Sequence, residues 1–277
     1  MKKLLVRSIS GAVYVALIVG AIFLGYTWFA MLMSLFAVLA VIEFENILDG
    51  GRPRGTAAIA ARVLDTLVAL ATVGFSLVAY MPSWMIVCTV ALVAMFTLLR
   101  FTLALYDKGG DAFRSAAWSV MSVAYIALPL AMLSLLYCDR GHESAMLVLA
   151  TFIMIWLNDT GAFCVGSLIG KRRLFERLSP KKSWEGFFGG LACCVGAGIA
   201  CHYLLPGISF GMAGWIAYGV MVCVLSTWGD LFESLMKRTN NIKDSGKLIP
   251  GHGGILDRID SLLFVSVGSF IFYNFFY

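Results

Sequence analysis

The sequence predicts an all-α fold: a polytopic transmembrane helix bundle of about nine spans with a cytoplasmic N-terminus. Composition is the first reason. Of the 277 residues, 60% are hydrophobic and only 13% charged, against about 25% charged in a typical soluble domain, and the mean hydropathy is +0.88. The second is the length of the apolar runs, since a bilayer core takes roughly 17–25 residues of helix. The third is the placement of positive charge, which falls almost wholly on one side of the membrane once the runs are counted.

The runs follow one another with short breaks. Ser8–Gly25 comes first, behind M-K-K-L-L-V-R. That start imitates a secretory signal, but no A-x-A-like cleavage site follows and it reads as a retained span. Tyr26–Leu48 begins at once, so the count of the first two spans turns on the hinge at Gly25–Tyr26. Ala57–Tyr80, Ser83–Leu105 and Ala116–Tyr137 complete the first half, and Ala145–Gly170, Ser183–Leu205, Met212–Leu235 and Leu256–Phe276 the second. No linker, obvious repeat or low-complexity tract divides them, so 1–277 reads as a single integral-membrane domain. Within it, 1–140 is mainly hydrophobic bundle and 150–265 carries the polar motifs.

Nine spans put Lys2, Lys3, Arg7, Arg52, Arg54, Lys108 and Arg114 on the side of the N-terminus, together with Lys171–Arg173, Arg177, Lys181, Lys182 and the basic residues from Lys237 to Arg258. Arg140 alone falls opposite. A wrong helix count would scramble this partition, so its cleanness argues for the count and for a cytoplasmic N-terminus. The net charge of +5 then gathers on the cytoplasmic face, where topology and attraction to anionic lipid account for the N-terminal cluster. The expected location is the cell's inner membrane, multi-pass, with a site facing the cytoplasm. The seven cysteines are scattered without metal-like C-x-x-C spacing and read as small packing residues.

Ionisable groups inside the spans are unevenly spread. The first half holds Glu43, Glu45, Arg62 and Asp65, near cytoplasmic ends. The second holds Asp159, Glu185, Asp230, Glu233, Asp257 and Asp260, with polar Asn158 beside them. Charge near lipid is costly and marks function, and the shared depth of the second set predicts one polar pocket open to the cytoplasm. Asp257 and Asp260 are three apart at the start of the last span and share a helical face, while Asp230 ends the apolar part of the span before it. Three carboxylates from two helices, with no cysteine beside them, suit Mg2+ better than zinc. Arg258 is alternatively a purely structural partner of the last two.

Between them, residues 250–254 read P-G-H-G-G, either a plain turn or a backbone nest for an anion. His252 there either meets a phosphate or orders its loop. Lys237, Arg238, Lys243, Lys247 and Arg258 supply phosphate-binding cations. A second polar block runs W-L-N-D-T-G-A-F at 156–163, K-R-R at 171–173 and S-P-K-K-S-W-E-G at 179–186. Asn158 and Asp159 read as polar lining; Ser179, Lys181 and Lys182 stand at a helix entrance, where free amides favour anions. Ser183 as helix cap and Glu185 in the first turn fit a structural role equally. The glycines of the seventh span, Gly186, Gly189, Gly190, Gly196 and Gly198, let helices approach closely.

The stretch Ser234–Asp260 resembles the signature of the phosphatidate cytidylyltransferase (CDP-diacylglycerol synthase) family. Ser234, Lys237–Arg238, Lys243–Asp244, His252–Gly253–Gly254 and Asp257–Arg258–Ile259–Asp260 occupy its places without a gap. The likeness extends upstream through G-D-L-F-E-S at 229–234 to Trp156; Phe163 departs from it, where the family often has tyrosine. The resemblance implies an all-helical membrane bundle, often a homodimer, that converts CTP and phosphatidate to CDP-diacylglycerol and pyrophosphate with Mg2+. It implies metal ligation by Asp230 and Asp257, with Asp260 holding a second, monovalent cation such as K+ or orienting Arg258. Lys237, Arg238 and Lys243 would grip the triphosphate, and Lys181 and Lys182 the nucleotide or the lipid headgroup. Asn158, Asp159, Ser179, Glu185, Ser234, Asp244, His252, Gly253, Gly254 and Arg258 complete the expected substrate-binding set. The partners expected are the two substrates and the bilayer, with no nucleic acid.

Two rival functions stay open on the residues alone. An anion-coupled secondary transporter would use buried acids and glycine-broken helices, though the acids cluster at one membrane face and no inverted repeat is visible. A CTP-dependent kinase of a polyprenol or diacylglycerol would cleave at the γ-phosphate and need a base for the alcohol, from His252 or an aspartate.

Overall fold

The computed structural model describes residues 2–48, 56–78, 82–106, 112–139, 141–242, 244–246, 248–249 and 253–276, the side chains of 2–7, 48 and 57 excepted. The chain runs α1 (Lys2–Leu24), α2 (Tyr26–Leu48), α3 (Thr56–Val78), α4 (Ser83–Ala104), α5 (Ala112–Ser122), a π turn (Val123–Ala127) and α6 (Leu128–Cys138). It continues through α7 (His142–Ile169), β1 (Arg173–Phe175), β2 (Ser179–Ser183), α8 (Trp184–Leu204), α9 (Gly211–Thr239) and α10 (Leu256–Phe276). Among the described residues, eight stretches are long and apolar enough to cross a bilayer, α5 through α6 counting as one, and α1 adds the shorter apolar stretch Ser8–Leu24. The predicted all-α polytopic bundle is the fold observed.

The hinge at Gly25 resolves into two helices. Its φ of +111° is open to glycine and strained for other residues, and its carbonyl accepts the Phe29 N–H at 3.1 Å to start α2. The span predicted over 116–137 begins earlier, at Ala112, and contains the π turn just ahead of Pro129. Proline has no N–H and crowds the carbonyl four residues back, so the ladder widens there. One element was not foreseen. Residues 171–183, expected as basic loop and helix entrance, form an antiparallel hairpin with Arg173 opposite Ser183 and Phe175 opposite Ser179.

The helices fall into two compact units. The first comprises Met1–Leu135 with Ile242–Arg258, the second Leu136–Asn241 with Ile259–Tyr277; the motif-bearing stretch 150–265 is therefore divided between them. In the first, α3 packs on α2 and α4, and Phe44 meets Trp118 and Tyr125 in a buried aromatic group. In the second, α8 packs on α7 and α9. A Cβ on Gly186 would come 2.8 Å from the Ala162 carbonyl, one on Gly189 2.5 Å from Val165, and one on Gly219 2.5 Å from the Cys194 carbonyl. The glycine run of α8 thus serves close helix contact, except at Gly196, where the space is open. Outward positions such as Trp28, Leu98 and Phe101 are apolar and uncovered, as lipid contact requires. All seven cysteines are free thiols.

Candidate functional site: a polar cavity among apolar helices

The second unit holds a cavity of about 270 Å3. Asn158, Asp159 and Phe163 reach it from α7, Lys181, Lys182 and Ser183 from β2, Gly186 and Phe187 from α8, and Thr227 and Asp230 from α9. The separated parts of the second polar block, at 156–163 and 179–186, therefore share one wall with Asp230. Local bonds hold the hairpin at the cavity mouth. Ser183 Oγ caps α8 by accepting the Gly186 N–H at 3.1 Å, in line with the cap read from sequence. The Glu185 carboxylate accepts the N–H groups of Lys171 at 3.0 Å and Arg172 at 3.2 Å, and the Trp184 N–H bonds the Arg172 carbonyl at 2.9 Å. Ser179 pairs with Phe175 at the far end of β2. Glu185 and Ser179 thus shape the hairpin rather than line the cavity.

Inside the cavity, Lys182 Nζ stands 2.6 Å from Asp230 Oδ2 and 3.4 Å from the Thr227 carbonyl. Their side chains are 25% and 37% exposed, so this pair is open to exchange: a half-solvated ion pair is worth only about 0–1 kcal/mol. Ser234, one turn along, donates to Asp230 Oδ1 at 3.3 Å. Asp260 is half-buried and lies within electrostatic reach of Asp230 and Asp159, and its Oδ1 accepts the Ser261 N–H at 2.6 Å. Glu233, 1% exposed, takes Lys237 Nζ at 2.5 Å. Asn158 is buried; its Nδ2 donates to Ser226 Oγ at 3.3 Å, while its Oδ1 has no hydrogen-bond partner.

The signature loop belongs to the first unit. Asp257 Oδ2 accepts the Ser245 N–H at 3.0 Å and the Gly254 N–H at 2.8 Å. Gly253, at φ +86°, closes the loop by accepting the Ile249 N–H at 2.9 Å. Asp257 and Asp260 sit one turn apart on α10, as their spacing predicts, yet have different partners. Asp244, Arg238 and Arg258 are exposed, and the Arg258 carbonyl accepts the Tyr14 hydroxyl at 3.1 Å. Lys243, Lys247 and His252 lie outside the described residues. Sequence reasoning overlooked Glu43, read only as a group near a cytoplasmic helix end, although its carboxylate reaches this same loop. The available signal was an acid within an apolar run.

Among the described residues, no three histidine, cysteine, aspartate or glutamate side chains form a ready metal cage. The donor chemistry nevertheless fits Mg2+. Asp159, Asp230 and Asp260 are oxygen donors, Asp230 already holds a cation in the form of the Lys182 ammonium, and Mg2+ commonly takes one or two carboxylates and completes its sphere with water and phosphate.

Long apolar helices enclosing a cavity lined by carboxylates and ammoniums define a polytopic membrane bundle. The chain belongs to the cytidylyltransferase family, whose sequence profile matches residues 5–276. It is 39% identical over 178 residues to the phosphatidate cytidylyltransferase of Staphylococcus aureus (strain COL). It is 40% identical over 179 residues to that of Staphylococcus saprophyticus subsp. saprophyticus. Each match covers 63% of this chain and 65% of the relative, so the chain spans about 65% of the length of these curated relatives.

Proposed function

We propose that the protein is a phosphatidate cytidylyltransferase, which transfers CMP from CTP to phosphatidate and releases pyrophosphate, at a site on the cytoplasmic side of the cell's inner membrane. Family membership and the relatives' names support the reading. The observation that carries it is the cavity where Asp159 and Asp230, from the C-terminal halves of apolar α7 and α9, meet Lys181 and Lys182 just ahead of α8. Such a position lets a water-soluble nucleotide meet a lipid whose tails stay in the bilayer, and the clean division of lysine and arginine supports the cytoplasmic side.

The chemistry asks for charge neutralisation above all. A phosphate oxygen of phosphatidate forms a bond to the α-phosphorus of CTP while the bond from that phosphorus to the bridging oxygen breaks, and the electron pair leaves with pyrophosphate. The attacking oxygen is already ionised, so no side chain has to remove a proton; alignment and electrostatics supply the acceleration. Lys182 turns from Asp230 to the incoming phosphate oxygens, and exposed Lys181 meets the same anion at the rim. Lys237, Arg238 and Lys243 are assigned to the triphosphate. Asp230 and Asp260 are the carboxylates of the second unit that would hold Mg2+, Asp257 is a further carboxylate that the family resemblance assigns to cation binding, and a monovalent cation such as K+ is the second ion proposed. When bound, Mg2+ draws charge from the phosphate oxygens.

The test is purified protein in detergent given Mg2+, phosphatidate and CTP labelled at the α-phosphate. Label should enter the lipid as pyrophosphate is released. Label confined to CDP, with a phosphorylated lipid alcohol when one is offered, would instead identify a CTP-dependent kinase, and no conversion at all would refute both. Lys182→Met is expected to raise KM for CTP by about tenfold or more, the worth of one charge-assisted hydrogen bond, and to lower the Mg2+ concentration needed, because Asp230 loses its resident cation. A Mg2+ titration of the initial rate checks the second effect.

A further inference from the structure

Glu43 lies near the C-terminal end of α2, among apolar residues, with 7% of its surface exposed. Its carboxylate accepts three hydrogen bonds from residues 202 to 213 positions later: Ser245 Oγ at 3.3 Å, Ile255 N at 3.0 Å and Leu256 N at 2.9 Å. The last two are N-terminal amides of α10, which have no partner within their own helix, so Glu43 caps α10 from another helix. The backbone around the carboxylate leaves no room for side chains, since a Cβ on Gly246 or Gly254 would collide with it. From the other side of the same loop, Asp257 takes the N–H groups of Ser245 and Gly254. Ser245 is thus held twice, through its hydroxyl by Glu43 and through its amide by Asp257.

A buried carboxylate in an apolar span is costly, and a serine or aspartate of the loop itself would cap a helix at less expense. What Glu43 adds is a fixed geometry for the loop that orients Asp257. We propose that Glu43 is a positioning residue of the site: it clamps Ser245, the Gly253–Gly254 turn and the start of α10, and so holds Asp257 ready for a cation and its phosphate ligand. The ligand named here rests on the cytidylyl-transfer reading; the clamp itself does not.

Glu43→Gln keeps the shape but turns a donor towards a backbone N–H, which repels it. In the folded variant, hydrogen–deuterium exchange over residues 244–257 should quicken by about tenfold or more, and the Mg2+ concentration for half-maximal turnover should rise by about fivefold or more. Ser245→Ala removes only the side-chain donor among the three bonds and should move both readings the same way by a smaller factor. It also carries the test if Glu43→Gln does not fold. Wild-type exchange rates, or a changed stability with an unchanged Mg2+ response, would overturn the proposal. If the wild-type protein makes no CDP-diacylglycerol, the functional reading fails on that assay, while exchange with and without Mg2+ still decides the clamp.

Discussion

Asp230→Asn is expected to cut CDP-diacylglycerol formation by at least about a hundredfold, roughly 3 kcal/mol of transition-state stabilisation, while the protein folds as before. The asparagine keeps an oxygen for the Ser234 hydroxyl, which bonds Asp230 at 3.3 Å, and fills the same volume. It carries no charge for a cation, so the group that Lys182 faces at 2.6 Å no longer binds either the ammonium or a metal strongly. Because both side chains are partly exposed, the unpaired lysine stays solvated and stability changes little. Asp257→Asn should act in the same direction. Turnover with α-labelled CTP, compared with the unfolding midpoint in the same detergent, separates loss of chemistry from loss of fold. Full activity in Asp230→Asn would remove this carboxylate from the proposed site.

Asp65→Ala should have the largest effect on stability. Asp65 on α3 and Arg100 on α4 are each 3% exposed, with Arg100 Nε 3.1 Å from Asp65 Oδ2. Ser119 donates to the other oxygen of Asp65. Arg100 also bonds the Ser115 carbonyl at 3.1 Å and its hydroxyl at 2.6 Å, so the group ties three helices together. Deleting the aspartate strands a buried guanidinium, which costs about 3–5 kcal/mol. Asp65→Ala combined with Arg100→Leu should recover a large part of that loss, because neither charge then lacks a partner. Denaturant unfolding of the single and double variants checks this, and activity should fall only as the folded fraction falls. Equal stability of the single variant and the wild type would contradict the argument.

The spans were legible because a bilayer imposes a length and a polarity on any helix that crosses it, and both are properties of contiguous residues. Gly25 and the Ser183 cap were legible for a similar reason, since each acts on its nearest neighbours. The hairpin at 173–183 was not. Strands of three and five residues leave no periodic signal, and the pairing depends on Glu185 gathering the amides of Lys171 and Arg172. Glu43, Asp65 and Arg100 were visible as charges within apolar runs, the first two read only as groups near cytoplasmic helix ends. Their partners lie at separations from 15 to 213 positions, where no local pattern connects them.

The sequence by itself determined the class of the protein and the inventory of its chemistry: apolar helices, oxygen-donor acids and lysines collected near one set of helix ends. Short-range physics suffices for that, through hydrophobic length, charge placement and motif spacing. Tertiary structure alone decided the assignments within the inventory. It put Asp159, Lys182 and Asp230 around one cavity, turned Glu185 to the hairpin and Glu43 to the Asp257 loop, and divided the motif stretch between two compact units. The reason is physical: a buried carboxylate must find donors, and which donors it finds depends on how helices distant in the chain pack.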